Sequence, residues 1–256
     1  MDLTGKTVLV TGASSGIGAA CAEVFARADC RLILAARRLD RLETAANQLR
    51  AEFGTEVLTA GLDVRDREAV DALVDGLGPA WSSIDVLVNN AGLARGLSTI
   101  YEGDVNDWEE MIDTNVKGLL WVTRAVLRGM VERGSGHVIN IGSIAGHETY
   151  PGGNVYCASK HAVTAIGRAL NIDVLGTGVR VSTVDPGLVE TEFSVVRFHG
   201  DQDRANSAYE GLDPLQGADV ADAVLFCATR PSNANVREMI LVASAQASVV
   251  HVHRKS

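Results

Sequence analysis

The chain has 256 residues, 23 of them Lys or Arg against 32 Asp or Glu, for a formal net charge of −9. An acidic chain has no electrostatic attraction for DNA phosphates or an anionic bilayer, so no nucleic-acid and no membrane partner is expected. With 46% hydrophobic and 21% charged residues it is neither disordered nor collagen-like, and at this length a core forms without disulfides or a structural metal.

The four cysteines, Cys21, Cys30, Cys157 and Cys227, make no CxxC pair, which suits reduced thiols in a cytoplasmic protein. The opening MDLTGKTVLVTGA has no basic n-region and no long apolar h-region, so secretory export is not expected. No repeat, linker or charge block divides the chain, and one domain over 1–256 is expected. In chain order, short apolar runs at 7–10, 32–36, 57–60, 86–88, 138–141, 179–184 and 239–242 predict strands. Amphipathic stretches at 15–28, 40–52, 66–77, 106–132, 154–176 and 217–229 predict helices. This alternation implies an α/β fold, a doubly wound parallel sheet covered by helices on both faces. Such sheets bind ligands beyond the carboxyl ends of their strands.

The first strand ends in Thr11-Gly12-Ala13-Ser14-Ser15-Gly16-Ile17-Gly18 and a helix follows at once. Glycines let the backbone approach a pyrophosphate, and the helix N-terminus offers free N–H groups. The spacing G-x-x-x-G-x-G departs from the usual G-x-G-x-x-G fingerprint, and taken alone it also fits a tight turn with no ligand. The second strand leads into Arg37 and Arg38, where an NAD-binding chain would carry an acid for the ribose 2′-OH; arginines suit a 2′-phosphate instead. Cations just ahead of a helix N-terminus oppose its dipole unless an anion is bound, so NADP(H) is expected over NAD. Asp63 and Val64 after the third strand suit an adenine contact, and Asn89-Asn90-Ala91-Gly92 after the fourth suits a close-packed backbone.

Ser143 follows the fifth strand, Tyr156 comes thirteen positions later and Lys160 four beyond that. On a helix, Tyr156 and Lys160 share one face. A phenol is a poor base at neutral pH, and bringing its pKa near 7 takes about 4 kcal/mol. One cation at about 4 Å supplies roughly that much at an effective dielectric near 20, so Lys160 is expected to lower the Tyr156 pKa.

In this order TGASSGIG, NNAG, Asn115, Ser143, the Tyr156 and Lys160 pair and Pro186-Gly187 resemble the short-chain dehydrogenase/reductase family over almost the whole chain. The resemblance implies a single Rossmann-like domain with a seven-stranded parallel sheet. Its cofactor half would span about 1–142 and its catalytic and substrate half about 143–256. It implies that Asn115 holds a water and a helix bend in a proton relay and that Ser143 orients the substrate oxygen. Tyr156 would be the acid/base, and Lys160 would bind the nicotinamide ribose. Cofactor contacts would come from Gly12, Ser14, Ser15, Gly16, Ile17, Gly18, Arg37, Arg38, Asp63, Val64, Asn89, Ala91, Gly92, Tyr156, Lys160, Pro186, Gly187, Val189 and Thr191. A homotetramer is also implied, with the long helices near 106–132 and 154–176 packed between subunits.

The stretches DWEEMIDTNVKGLL, YPGGNVYCASK and DPGLVETEFSVVRFHGD are similar to a narrower group in that family, NADP-dependent enzymes of 3-hydroxy acids such as L-allo-threonine, L-serine and 3-hydroxypropionate. That similarity implies hydride transfer between NADP(H) and C3 of a small 3-hydroxy acid. Cys157 and His161 depart from the group's pattern beside the catalytic pair. A substrate carboxylate needs a cationic or N–H-rich partner, and Arg197 is the best-placed candidate, with Ser143, Tyr150, Asn154 and Glu192 as further substrate contacts. A general NADPH-dependent carbonyl reductase acting on non-acid ketones and a non-catalytic NADP(H)-binding sensor are the alternatives. His251 and His253 have no carboxylate or thiol partners in sequence, so no metal site is expected.

Overall fold

The apolar runs form strands because branched aliphatic side chains fill both faces of a buried parallel sheet. The structure, a computed structural model, describes residues 2–255; Met1 and Ser256, the ends of the expected domain, lie outside the described residues. The first half of the chain forms β1 (Thr7–Thr11), α1 (Gly16–Arg27), β2 (Arg31–Ala36), α2 (Leu39–Phe53), β3 (Val57–Gly61), α3 (Arg67–Asp75), β4 (Val86–Asn89), α4 (Val105–Ile112) and α5 (Leu119–Arg133). The second half forms β5 (Gly136–Ile141), α6 (Asn154–Asp173), β6 (Val179–Pro186), β7 (Val189–Glu190), α7 (Phe193–Arg197), α8 (Gln202–Ser207), β8 (Leu215–Gln216), α9 (Gly217–Thr229) and β9 (Glu238–Leu241). Seven strands pair in the order β3-β2-β1-β4-β5-β6-β9, each neighbouring pair parallel. The doubly wound sheet read from the alternation is therefore present.

Alternation along each strand splits the core in two. Val8 and Val10 of β1 join Phe25, Leu32, Leu34, Leu42 and Val224 under α1, α2 and α9. Leu9, between them, joins Ile33, Leu87, Met130 and Val181 under α3, α5 and α6. The chain builds β2 and β3 on one side of β1 before returning to β4 on the other. Loops leaving β1 and β4 therefore diverge, and a crevice opens beyond the carboxyl ends of those strands.

Two features differ from the sequence expectation. The helix expected over 106–132 is interrupted by a π-helical turn, Asp113–Gly118, between α4 and α5. Wide turns of this kind recur at functional sites, and this one contains Asn115, whose amide is bonded to the Leu93 backbone. The segment between β7 and β8 contains α7 and α8, of five and six residues, too short for a helical period to register in sequence.

Candidate active site

The glycine loop is shaped from beneath by the end of β4. Asn90 Nδ2 donates to the carbonyls of Thr11 at 2.9 Å and Gly12 at 3.1 Å, and the Asn90 and Ala91 N–H groups donate to Thr11 Oγ1. Gly12 has φ +65°, and an added Cβ there would lie 2.9 Å from Ala91 Cα, so the position requires glycine twice over, for its backbone angle and for the close approach. Gly18 does not line the cleft; an added Cβ would strike Asn90 Nδ2 and Gly12 O, so this glycine admits the loop rather than a ligand. No side chain caps the N-terminus of α1 at Ser15, which leaves first-turn donors beside the cleft formed by Gly12, Ser14, Ser15, Gly16 and Ile17.

At the far end Arg38 lies across the loop, donating to Ser14 Oγ at 3.2 Å, Ser15 Oγ at 2.8 Å and Glu192 at 2.9 Å. Arg41 reaches the same carboxylate at 2.7 Å, and hydrogen bonds from Arg41 and then Arg38 hold the Glu192 carboxyl below the usual range. Glu192, expected beside the substrate, is thus placed against Arg38 and Arg41. The chain turns into α7 just after it, and its side chain meets the start of α2. Arg37 lines the cleft, with its guanidinium 3.7 Å from Glu110. Asp63 and Val64 line the cleft wall. Burial pushes the Asp63 carboxyl up, but Arg65 at 2.6 Å outweighs it and holds the group low.

Asn89 is not in the cleft. Its amide donates inside the sheet to Thr123 at 2.8 Å and Asn140 at 3.0 Å. Successive strand residues face opposite sides, so Asn90 is the one that meets the loop. Ala91, Gly92, Pro186, Gly187, Val189 and Thr191 all border the cleft, whose volume is about 310 Å³. An open helix N-terminus, a glycine cradle and an arginine bonded to two loop serines are the donors that a 2′-phosphorylated dinucleotide requires.

At the chemical end Ser143, Tyr156 and Lys160 border the same cleft, 8%, 8% and 7% exposed. Ser143 follows β5 and its N–H donates to Asp185 at 3.0 Å. Tyr156 and Lys160 stand on one face of α6, and Lys160 Nζ donates to the Ile141 carbonyl at 2.9 Å. Burial lowers the Lys160 pKa to about 8, with Asp185 acting against it. Burial also pushes the Tyr156 phenol up, Tyr150 adding to this, while Ser143 and Arg197 pull it down. In the protein alone burial outweighs the charges near the phenol. Both groups are desolvated, which disfavours both charged forms, and the cation that faces the ring is Arg197. Asn115 stands behind the cleft, where Oδ1 accepts the Leu93 N–H at 2.8 Å and Nδ2 donates to Leu93 O at 2.8 Å and Ser159 Oγ at 3.0 Å.

Arg197, Tyr150 and Asn154 lie outside the main cleft lining. The Arg197 guanidinium sits 5.4 Å from the centroids of both the Tyr150 and Tyr156 rings and donates to the Tyr150 hydroxyl at 2.6 Å. Asn154 turns away, donating to Ser98 O at 2.8 Å. Sequence reasoning missed Phe193, whose ring meets Tyr156 edge-on at 5.7 Å, and Val196, which lines the cleft. Their only signal was their apolar character in the segment after Pro186-Gly187.

A family model described as short chain dehydrogenase matches residues 6–201. The chain belongs to the short-chain dehydrogenase family. Among relatives of this dehydrogenase, an NADP-dependent 3-hydroxy acid dehydrogenase of Schizosaccharomyces pombe is 44% identical over 254 residues, 99% of this chain and 98% of its own. The NADP-dependent 3-hydroxy acid dehydrogenase YdfG of Salmonella typhi is 48% identical over 250 residues, 96% and 99% of the two chains. A solved structure described as the closed form of serine dehydrogenase complexed with NADP+ superposes on this dehydrogenase with a TM-score of 0.91, at 44% identity, covering 97% of this chain and 100% of that one. The dehydrogenase is thus matched over nearly its whole length.

Proposed function

We propose that the chain is an NADP-dependent oxidoreductase that interconverts a small 3-hydroxy acid, of the serine, allo-threonine or 3-hydroxypropionate type, and its 3-oxo form. The observation that carries this reading is Arg197, a guanidinium stacked 5.4 Å from the ring of Tyr156 beside a nucleotide-shaped cleft. A 3-hydroxy acid carries its carboxylate two bonds from the reacting carbon, so a cation beside the acid/base matches the class. Arg197 is engaged with Gly96 O and the Tyr150 hydroxyl, and its remaining N–H donors are available to a carboxylate.

The residues divide the work. Arg38, Ser14 and Ser15 hold the 2′-phosphate, the open end of α1 meets the pyrophosphate, and Tyr156 and Lys160 bind the nicotinamide ribose. When bound, NADP supplies the acceptor or donor of the hydride at its nicotinamide ring. Ser143 orients the substrate oxygen. Tyr156 takes the hydroxyl proton in oxidation and returns it in reduction, with Lys160 in support. Asn115 holds the π-turn and its water in the relay. A phenol kept protonated by burial is ready as the acid of the reductive direction. Exposed Leu120, Ile172, Leu175 and Phe226 support assembly as a homotetramer, and four free buried cysteines support a cytoplasmic setting. Among the described residues no helix is long and apolar enough to cross a membrane.

The reading is tested by kcat/KM for serine, allo-threonine and 3-hydroxypropionate beside neutral ketones and alcohols. Arg197→Met lowers kcat/KM for the acids by about a hundredfold, the value of a lost charge-assisted contact, and leaves neutral substrates within about threefold. Activity confined to neutral ketones in the unaltered enzyme makes it a general carbonyl reductase instead. Arg38→Ala weakens NADP by about 10- to 100-fold in a fluorescence titration while NAD binding barely moves. An equal loss for both nucleotides would remove Arg38 from 2′-phosphate recognition.

A further inference from the structure

Arg197 stands at the end of α7, a helix of five residues in which Ser194 is the buried side chain. So short a helix does not hold its own shape, and its last carbonyls have no partner within it. Their partners come from the loop after β4. The Gly96 N–H donates to the Arg197 carbonyl at 2.8 Å, and Arg197 Nε donates to the Gly96 carbonyl at 3.1 Å. One residue thus clasps both the main chain and the side chain of Arg197. Gly96 has φ +58°, the left-handed region that glycine tolerates.

Arg95, beside it, takes the preceding carbonyl. Its Nη1 donates to Val196 O at 2.5 Å while its Nε donates to Glu110 of α4 at 2.7 Å. The two side chains are only 17% and 20% exposed, so this fork is held against the protein rather than sweeping through solvent. Arg37 and Arg65 approach the same carboxylate at 3.7 Å and 3.6 Å, which gives Glu110 cationic neighbours that do not depend on Arg95. Arg95 does not border the main cleft, and the reaction as described gives it no task.

We propose that Arg95 is a positioning residue for the substrate: braced by Glu110, it holds the Val196 carbonyl and so fixes the Arg197 guanidinium beside Tyr156. This rests on the reading of Arg197 as the partner of the substrate carboxylate. A long side chain that is ordered before the substrate arrives loses less freedom on binding it, so Arg95 acts on acid recognition through Arg197.

The experiment is steady-state kinetics at saturating NADP, with serine and with a neutral secondary alcohol, for the unaltered enzyme, Arg95→Met, Arg197→Met, the double variant and Glu110→Gln. Arg95→Met raises KM for serine about tenfold, the scale of one charge-assisted hydrogen bond. It leaves kcat and the kcat/KM of the alcohol within about threefold. In the Arg197→Met background the same change has no further effect on serine, because the group it positions is gone. Glu110→Gln keeps an acceptor for Arg95 and removes the charge; it raises KM for serine about threefold and carries the test if Arg95→Met fails to fold. Equal losses for serine and the alcohol, a kcat that falls with KM unmoved, or a full tenfold effect persisting without Arg197 overturns the proposal. Arg197→Met separates the two levels. Serine kinetics untouched by Arg197→Met remove the carboxylate reading beneath the proposal, whereas a loss there with KM unmoved in Arg95→Met removes only Arg95.

Discussion

Tyr156→Phe lowers kcat by about 10³-fold, because a positioned acid/base contributes roughly 10²- to 10⁴-fold, while NADPH binding stays within about tenfold, the value of one hydrogen bond to the ribose. The ring remains, so the edge contact with Phe193 at 5.7 Å and the stacking of Arg197 at 5.4 Å persist. Only the hydroxyl is lost. It is buried, and burial holds it protonated, so its removal leaves no charge unpaired and the fold is barely perturbed. Steady-state turnover of serine and NADPH fluorescence titration on the same preparation check both halves. Unchanged turnover would deny Tyr156 its proton-transfer role. Intact nucleotide binding with no turnover of any substrate by the unaltered enzyme would leave the sensor reading standing.

Lys160→Met abolishes most turnover and yet stabilises the protein. Lys160 is buried, and its pKa falls from 10.5 in the unfolded reference to about 8 in the folded chain. Between those values the unfolded chain binds more protons than the folded one, so the stability of the unaltered protein rises with pH across that window. The penalty of burying the ammonium is complete below about pH 8 and gone above about pH 10.5. Methionine has a similar reach and no charge to desolvate. Allowing for the lost bond to the Ile141 carbonyl, the variant gains about 2 kcal/mol at pH 7. Urea denaturation at pH 7 and at pH 10 measures this: the gain is present at the first and much reduced at the second. A destabilised variant at pH 7 would show that the ammonium is held comfortably by its surroundings. The same charge that weakens the fold is the one the site uses, a trade of stability for function.

Much of this was legible before any coordinates, for local reasons. Strand runs such as 32–36 and helical periods such as 40–52 announce themselves because each strand is buried on both faces and each helix on one. Gly12 could be read from its place at a strand end, since only glycine tolerates both its left-handed angle and the contact with Ala91. Tyr156 and Lys160 could be paired because four residues make one helical turn. The adjacent Asn89 and Asn90 could not be told apart. Two neighbouring strand residues face opposite ways, and only the sheet shows which side holds the cleft. Glu192 is expected among the substrate contacts, whereas the turn into α7 carries it to Arg38 and Arg41.

The amino-acid order was enough for the alternation of elements, the nucleotide end and the preference for NADP, because each depends on residues close along the chain. Tertiary structure alone decided the charge state around the phenol. Arg197 and Phe193 reach Tyr156 from a distant segment, and burial, which no local pattern records, sets the direction in which both Tyr156 and Lys160 titrate.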